Sequence, residues 1–325
     1  MKQLTIIVPE GDNNLSSISG AYEIFTKANA FAKMNGGTEL FQIKLAGISE
    51  KIEFNGGIFT VKPHVYISQI AKTDLIIIPS LNHNYNLALQ HNDELVQWLQ
   101  KQYQKGAEIA TICTGAFMLA ASGLLDGKNC STHWSVRENF SRMFPQINLR
   151  VDELITDENG IYTNGGAYSF LNLMIYLIEK YYGRATAVYC AKVFQIEMNR
   201  KSQSQFIIFS GQKKHEDEMV LGAQSYIENN LGEKLSMSDL SIKFNVSRRN
   251  FDRRFIKATG NTPSEYLQRV KIEAAKKAFE TDRKTVNEVM YEVGYSDIKA
   301  FRDAFKKITG IPPIEYKKKY HKGAA

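Results

Sequence analysis

The sequence predicts an α/β fold followed by an all-α segment built from two helix-turn-helix units. Short apolar runs of strand length alternate with helical stretches over the first two thirds. The last hundred residues show no strand pattern, only short helices between Gly, Pro and Ser. Within them a segment repeats itself at an offset of fifty residues. With 325 residues, 43% hydrophobic and 23% charged, the chain suits two folded domains.

Leu4-Thr5-Ile6-Ile7-Val8, Asp74-Leu75-Ile76-Ile77-Ile78-Pro79 and Ile109-Ala110-Thr111-Ile112-Cys113 read as strands buried on both faces of a parallel sheet. Residues 94–104 and 116–125 read as helices between or after them. Residues 168–182 and 185–198 read as two more, with Gly183 as the stop between them. The stretch 209–218, FSGQKKHEDE, is polar and charged and reads as a linker. The domain reading is therefore 1–208, a linker at 209–218, and 219–320.

Charge divides the chain at nearly the same place. Residues 1–219 carry 20 Lys+Arg against 21 Asp+Glu, and residues 220–325 carry 21 against 13. A neutral part joined to a part of net charge +8 points to a polyanion partner for the latter. Cys113, Cys130 and Cys190 are too few and scattered for a disulfide framework or a zinc cluster. No metal or cofactor is expected. The apolar run at the N-terminus is too short for a signal peptide, and no stretch reaches the ~20 apolar residues of a membrane helix. A cytoplasmic protein without a membrane partner is the expectation.

In the repeat, Phe251, Phe255, Lys257, Thr259, Gly260, Pro263, Glu265 and Tyr266 recur as Phe301, Phe305, Lys307, Thr309, Gly310, Pro313, Glu315 and Tyr316. Phenylalanines four apart share a helix face. Gly260 and Gly310 stand where a left-handed residue ends a helix. Thr262-Pro263-Ser264-Glu265 and Thr285-Val286-Asn287-Glu288 are capping boxes. The spacing predicts a first helix-turn-helix over 238–259, a linking helix over 263–279 and a second helix-turn-helix over 286–309. With the phenylalanines inward, about 100° per residue sets Arg249 and Arg253 on the opposite face, flanked by Asn250 and Lys257. Arg and Asn are the side chains that bond guanine and adenine edges bidentately. The second copy exposes Lys299 and Asp303 at the equivalent positions, beside Arg302 and Lys306.

VSRRNFDRRFIKATGNTPSEYLQRVKIEAAKKAF and EVGYSDIKAFRDAFKKITGIPPIEY resemble the DNA-binding domain of AraC/XylS-type regulators across residues 220–320. The resemblance implies two reading helices entering adjacent major-groove segments of an operator. A linking helix of about 17 residues, spanning on the order of 26 Å, suits units one DNA turn apart.

In the first part, Cys113 ends a strand and precedes the helix opened by Thr114-Gly115-Ala116-Phe117. A thiol there meets the positive end of the helix dipole, which predicts a lowered pKa and a reactive, partly ionised sulfur. His133 follows in Ser131-Thr132-His133-Trp134. ICTGAFMLAASGLLDGKNCSTHW, SGAYEIF and TNGGAYSFLNLMIYLIEKYYG resemble the ThiJ/PfpI group, relatives of class I glutamine amidotransferases, over residues 4–206. The resemblance implies a flavodoxin-like parallel sheet with Cys113 at an elbow and His133 close to it. This chain departs from the group at Ser17, where an acidic residue is expected, and at Thr114, Asn172 and Ser80. Glu10 and Asp12 are the nearby acidic alternatives. A Cys without an assured base is a poor hydrolase, so no residue is assigned a catalytic role.

Cys113, His133 and Glu10 are instead the candidates for a ligand pocket or reactive thiol. The resulting expectation is a DNA-binding transcription regulator, with double-stranded operator DNA as partner and an N-terminal domain that senses a small metabolite or forms a homodimer. RNA polymerase is a further expected partner of such a regulator. The rivals are a cysteine-dependent amidase or hydrolase with an accessory DNA-binding tail, and an architectural DNA-binding protein.

Overall fold

Apolar runs with no polar face can pair only inside a sheet covered on both sides. The computed structural model describes residues 1–11, 13–82, 84–281 and 283–321, in two units, Met1–Gln203 and Ser204–Ala325. The first begins β1 (Lys2–Ile7), α1 (Leu15–Met34), β2 (Phe41–Gly47), the hairpin β3 (Ile52–Phe54) and β4 (Phe59–Val61), and β5 (Val65–Tyr66). It continues β6 (Leu75–Ile78), α2 (Tyr85–His91), α3 (Asp93–Gln104), β7 (Glu108–Ile112), α4 (Ala116–Ala121), β8 (Asn129–Cys130), α5 (Arg137–Met143) and β9 (Asn148–Leu149). It closes with β10 (Ile155–Glu158), β11 (Ile161–Asn164), α6 (Phe170–Tyr182) and α7 (Arg184–Val193).

The main sheet has the order β10-β11-β7-β6-β1-β2-β5, parallel throughout except for β10 against β11. Alternation along the central strands feeds two cores. Leu4, Ile6, Leu75, Ile77, Ala110 and Ile112 face α1, α6 and α7. Ile7, Ile76, Ile78 and Ile109 face the side of α3, α4 and α5. Two helices are shorter than their sequence pattern. The helix expected over 116–125 stops at Ala121, because Ser122 Oγ turns back to Leu119 O and Gly123 is left-handed. The helix expected over 185–198 stops at Val193, and Gln195 turns left-handed with φ 54°.

The second unit is helical: α8 (Glu218–Asn229), α9 (Met237–Lys243), α10 (Arg248–Thr259), α11 (Pro263–Thr281), α12 (Val286–Glu292), α13 (Ile298–Thr309) and α14 (Pro313–Tyr320). Both capping boxes form. Glu265 Oε2 accepts from Thr262 N–H at 2.8 Å, and Glu288 Oε2 from Thr285 N–H at 2.6 Å. Phe251, Phe255 and Tyr266 share one core with α8 and α9. Phe301, Phe305 and Tyr316 share another with α12 and the far half of α11.

The repeat reaches further upstream than its sequence identities. Tyr266 Oη donates to Glu228 near the end of α8, and Tyr316 Oη to Glu280 near the end of α11. Thr259 and Thr309 each donate back to the buried phenylalanine four residues before, closing their helices identically at Gly260 and Gly310.

The segment read as a linker, 209–218, is seated on the helical unit. Phe209 lies edge-on to Tyr266 at 5.3 Å, Lys213 pairs with Glu228, and Asp217 caps α8. Its polar character reflects hydrogen bonding to helix ends.

Phe255 and Phe305 are fully buried, each against a tyrosine ring and another phenylalanine. Phe255→Ala and Phe305→Ala should each destabilise the helical unit by about 3–5 kcal/mol in urea unfolding. A cost below ~1 kcal/mol for either would contradict the core assignment.

Candidate functional site

The carboxyl ends of β1, β6 and β7 lie side by side, and each leads into a turn that carries polar groups. After β7 the backbone turns sharply: Cys113 has φ 55°, a left-handed conformation that a non-glycine residue holds only under constraint. Gly115 permits it. A Cβ there would stand 2.5 Å from Pro79 O and 2.9 Å from Ile78 O, so no other residue could bring the start of α4 this close to the end of β6.

Around the sulfur the structure places hydroxyls. Ser17 Oγ donates to Asn14 O at 2.7 Å and accepts from Ser80 N–H at 3.1 Å. Ser80 Oγ lies 2.8 Å from Thr114 Oγ1, which donates to Leu81 O at 2.5 Å. Thr114 has one hydroxyl proton and spends it on Leu81, so Ser80 is the donor in their shared bond. Burial pushes the Cys113 thiol above its ordinary pKa, against the smaller opposite pull of Ser80, Thr114 and the His133 backbone N–H. The lowered pKa expected from the helix dipole is therefore corrected. The side chain is only 4% exposed, and loss of hydration outweighs the short helix behind it. Burial raises the other two thiols as well, Cys130 to about 12 and Cys190 to about 11.

His133 is brought to the same place. Thr132 Oγ1 donates to Cys113 O at 2.9 Å, and the His133 backbone faces the thiol. The imidazole is engaged through one of its nitrogens with Ser135. Its Nδ1 accepts from Ser135 N–H at 3.2 Å and lies 2.7 Å from Ser135 Oγ, and burial pushes its pKa below the ordinary value. Tyr85, stacked on Phe117 at 3.9 Å, is a neighbour of Cys113 that sequence reasoning missed; its phenol pKa is raised by burial and, second, by Cys113.

Glu10 Oε1 is buried without a hydrogen-bond partner among the described residues. Its backbone is tied to Asn92 by two hydrogen bonds. Asp12 lies outside the described residues. Asn172 is a strut that donates to Glu197 O at 2.6 Å.

In the helical unit, Arg249, Arg253 and Lys257 are exposed on α10, and Lys299, Arg302 and Lys306 on α13. Asn250 is half-buried, and its Oδ1 accepts from Arg253 Nη2 at 3.0 Å, which pre-orients that guanidinium. Arg302 and Lys306, with Asp303, line a depression of about 490 Å³ beside the start of α12 and of α14. Arg254 is withdrawn from this face. It is held bidentately by Asp217, whose carboxylate it keeps below the usual range. The sequence signal for that pair was weak, because the partners are 37 positions apart. Lys271 on α11 donates to Gly294 O at 3.1 Å and fixes the turn between α12 and α13.

Residues 240–319 match a helix-turn-helix domain family and residues 19–180 the DJ-1/PfpI family. The chain is similar to the HTH-type transcriptional regulator GbdR of Pseudomonas aeruginosa, 28% identical over 226 residues, which are 68% of this chain and 60% of GbdR. The chain thus spans less than two thirds of that relative's length. Among solved structures it is similar to an AraC family transcriptional regulator from Pseudomonas putida, at 18% identity and TM-score 0.50 over 60% of this chain and 100% of that one. It is also similar to DJ-1beta of Drosophila melanogaster, at 18% identity and TM-score 0.51 over 60% of this chain and 98% of that one. These two likenesses concern the fold.

With burial against it, the Cys113 thiol should stay protonated at neutral pH. The pH–rate profile of Cys113 alkylation should turn upward above the ~8.5 of an unstructured peptide thiol. A midpoint below pH 8 would show a thiolate and reopen nucleophilic chemistry.

Proposed function

Starting from a DJ-1/PfpI-type domain joined to an AraC-type helix-turn-helix domain, we propose that the chain is a sequence-specific, DNA-binding transcription regulator of the cytoplasm. The observation that carries this is the duplication in the helical unit. Two helices of identical length, α10 and α13, expose basic side chains on equivalent faces while their phenylalanines are buried. α11, of 19 residues and so about 28 Å long, lies between them and supports the reading of two adjacent major-groove contacts. Arg249, Asn250, Arg253 and Lys257 read one half of the site, and Lys299, Arg302 and Lys306 hold the other. The net charge of +8 over residues 220–325 favours the phosphate backbone.

In this proposal the first unit is the sensor. Its hydroxyl-rich site around Cys113 and His133 binds a small metabolite; the burial that raises the thiol's pKa and the engagement of His133 Nδ1 with Ser135 support binding without turnover. Homodimer formation and contact with RNA polymerase belong to the same proposal.

Genomic fragments captured by the full chain would define the operator. On that DNA, Arg253→Ala should cost about 1–3 kcal/mol and relax preference at one base position, with folding intact. Lys306→Ala should weaken binding evenly across sequences and reduce the slope of log affinity against log salt by about 1. Wild-type affinity in both variants at fixed salt would overturn the assignment of these faces.

A further inference from the structure

We propose that Asp303 sets base specificity in the second reading helix, taking a cytosine where the equivalent Arg253 of the first takes a guanine. The inference rests on the regulator reading above and adds to it the base that each half of the site presents.

The fifty-residue offset that pairs Phe251 with Phe301 and Phe255 with Phe305 also pairs Arg253 with Asp303. The fold holds the two helices in the same register. Each runs for 12 residues. Ser247 caps α10 by accepting from Asn250 N–H, and Asp297 caps α13 by accepting from Ala300 N–H, again fifty apart. Both helices end on a left-handed glycine whose N–H returns to the residue four before it, Ile256 or Lys306. Neither helix can therefore slip against the other. Residues 253 and 303 then stand about 160–200° from the buried phenylalanines of their helices, at the centre of the outward face. Both are exposed.

Other acids around the reading helices are already committed. Asp252 accepts from Arg248 Nε through both oxygens at 2.9 Å, Asp217 holds Arg254, and Asp297 is the α13 cap. Asp303 is different. Among the described residues its carboxylate takes part in no hydrogen bond or ion pair, although Lys299, Lys306 and Lys307 occupy the i−4, i+3 and i+4 positions. About 100° per residue puts Lys306 about 60° to one side of Asp303 and Lys307 about 40° to the other. Arg302 and Lys306 line the depression beside the starts of α12 and α14 with Asp303. Cations thus flank the acid on both sides, where the groove walls carry phosphates. Lys299, Arg302, Lys306 and Lys307 against Asp303 leave this face at 4 − 1 = +3. The helix still favours DNA, with its one acid aimed at the groove floor.

A carboxylate offers only acceptors. Phosphates repel it, and so does a guanine edge, which presents the N7 and O6 acceptors. Adenine has a donor at N6 but an acceptor beside it at N7. Cytosine presents the N4 donor without a neighbouring acceptor, so it suits Asp303 best. Arg253 makes the opposite choice, because a guanidinium offers only donors. The protein repeats itself, but the two halves of its operator differ at the equivalent base.

Selection from randomised double-stranded DNA by the full chain, wild type and Asp303 variants, tests this. Wild type should select cytosine at one position where Asp303→Asn selects adenine and Asp303→Arg selects guanine, with the other positions unchanged. On the wild-type site, guanine in place of that cytosine should weaken wild-type binding at least tenfold and Asp303→Ala binding less than threefold. Identical selected sequences from wild type and the variants would overturn the inference and leave the regulator reading standing. Tighter binding of Asp303→Ala to every sequence alike would place the acid against phosphate and also overturn it. A wild-type base other than cytosine at the position the variants change would overturn the assigned base. If wild type selects no sequence, the regulator reading fails, and this inference fails with it.

Discussion

Tyr266 is buried at one end of α11, and Ile272, Ala275 and Phe279 are buried further along, so two hydrophobic cores share one rod. The rest of the helical unit depends on this sharing. α10 and α13 cannot change their mutual placement without disturbing a core, because each is held by its phenylalanines against α11 or the tyrosine beside it. Glu228 and Glu280 anchor the two tyrosines from preceding helices. Lys271 and the Glu273–Lys276 pair add polar fastening to a helix that would otherwise be held by apolar contact alone.

In the first unit the decisive change is chemical. The position where the ThiJ/PfpI group carries an acid is Ser17 here, and its neighbours are Ser80 and Thr114. Hydroxyls can orient a thiol but cannot take its proton. Magnitudes decide the outcome. A helix terminus is worth ~0.3–1 kcal/mol and at most ~2 to a nearby charge, while burial of a thiolate can cost several pKa units, each ~1.4 kcal/mol. Cys113 keeps the elbow geometry, while burial holds its thiol above the ordinary pKa.

Much of the architecture was legible in the chain itself. Continuous apolar runs marked β1, β6 and β7, because strands buried on both faces need no polar side. The fifty-residue repeat, the capping boxes and the two glycines marked α9 to α13 to within a residue or two, because these are local signals, whereas α8 and α14 were not marked. The outward face of α10 followed from helical periodicity once Phe251 and Phe255 were taken as core. Strands such as β2 and β10 went unread, since their mixed burial interrupts the pattern. Helix ends at Ala121 and Val193 were set by left-handed turns that apolar spacing does not report.

Tertiary structure alone decided the burial of Cys113 that raises its pKa, the orientation of His133, the withdrawal of Arg254 and the seating of residues 204–217. Each depends on groups far apart in sequence: Ser80 with Thr114, Asp217 with Arg254, Glu273 with Phe209. The sequence determined which elements form, because propensity, caps and periodicity act over a few residues. The pKa of a thiol and the partner of a charge depend on burial and on neighbours that only the folded chain brings within hydrogen-bonding distance.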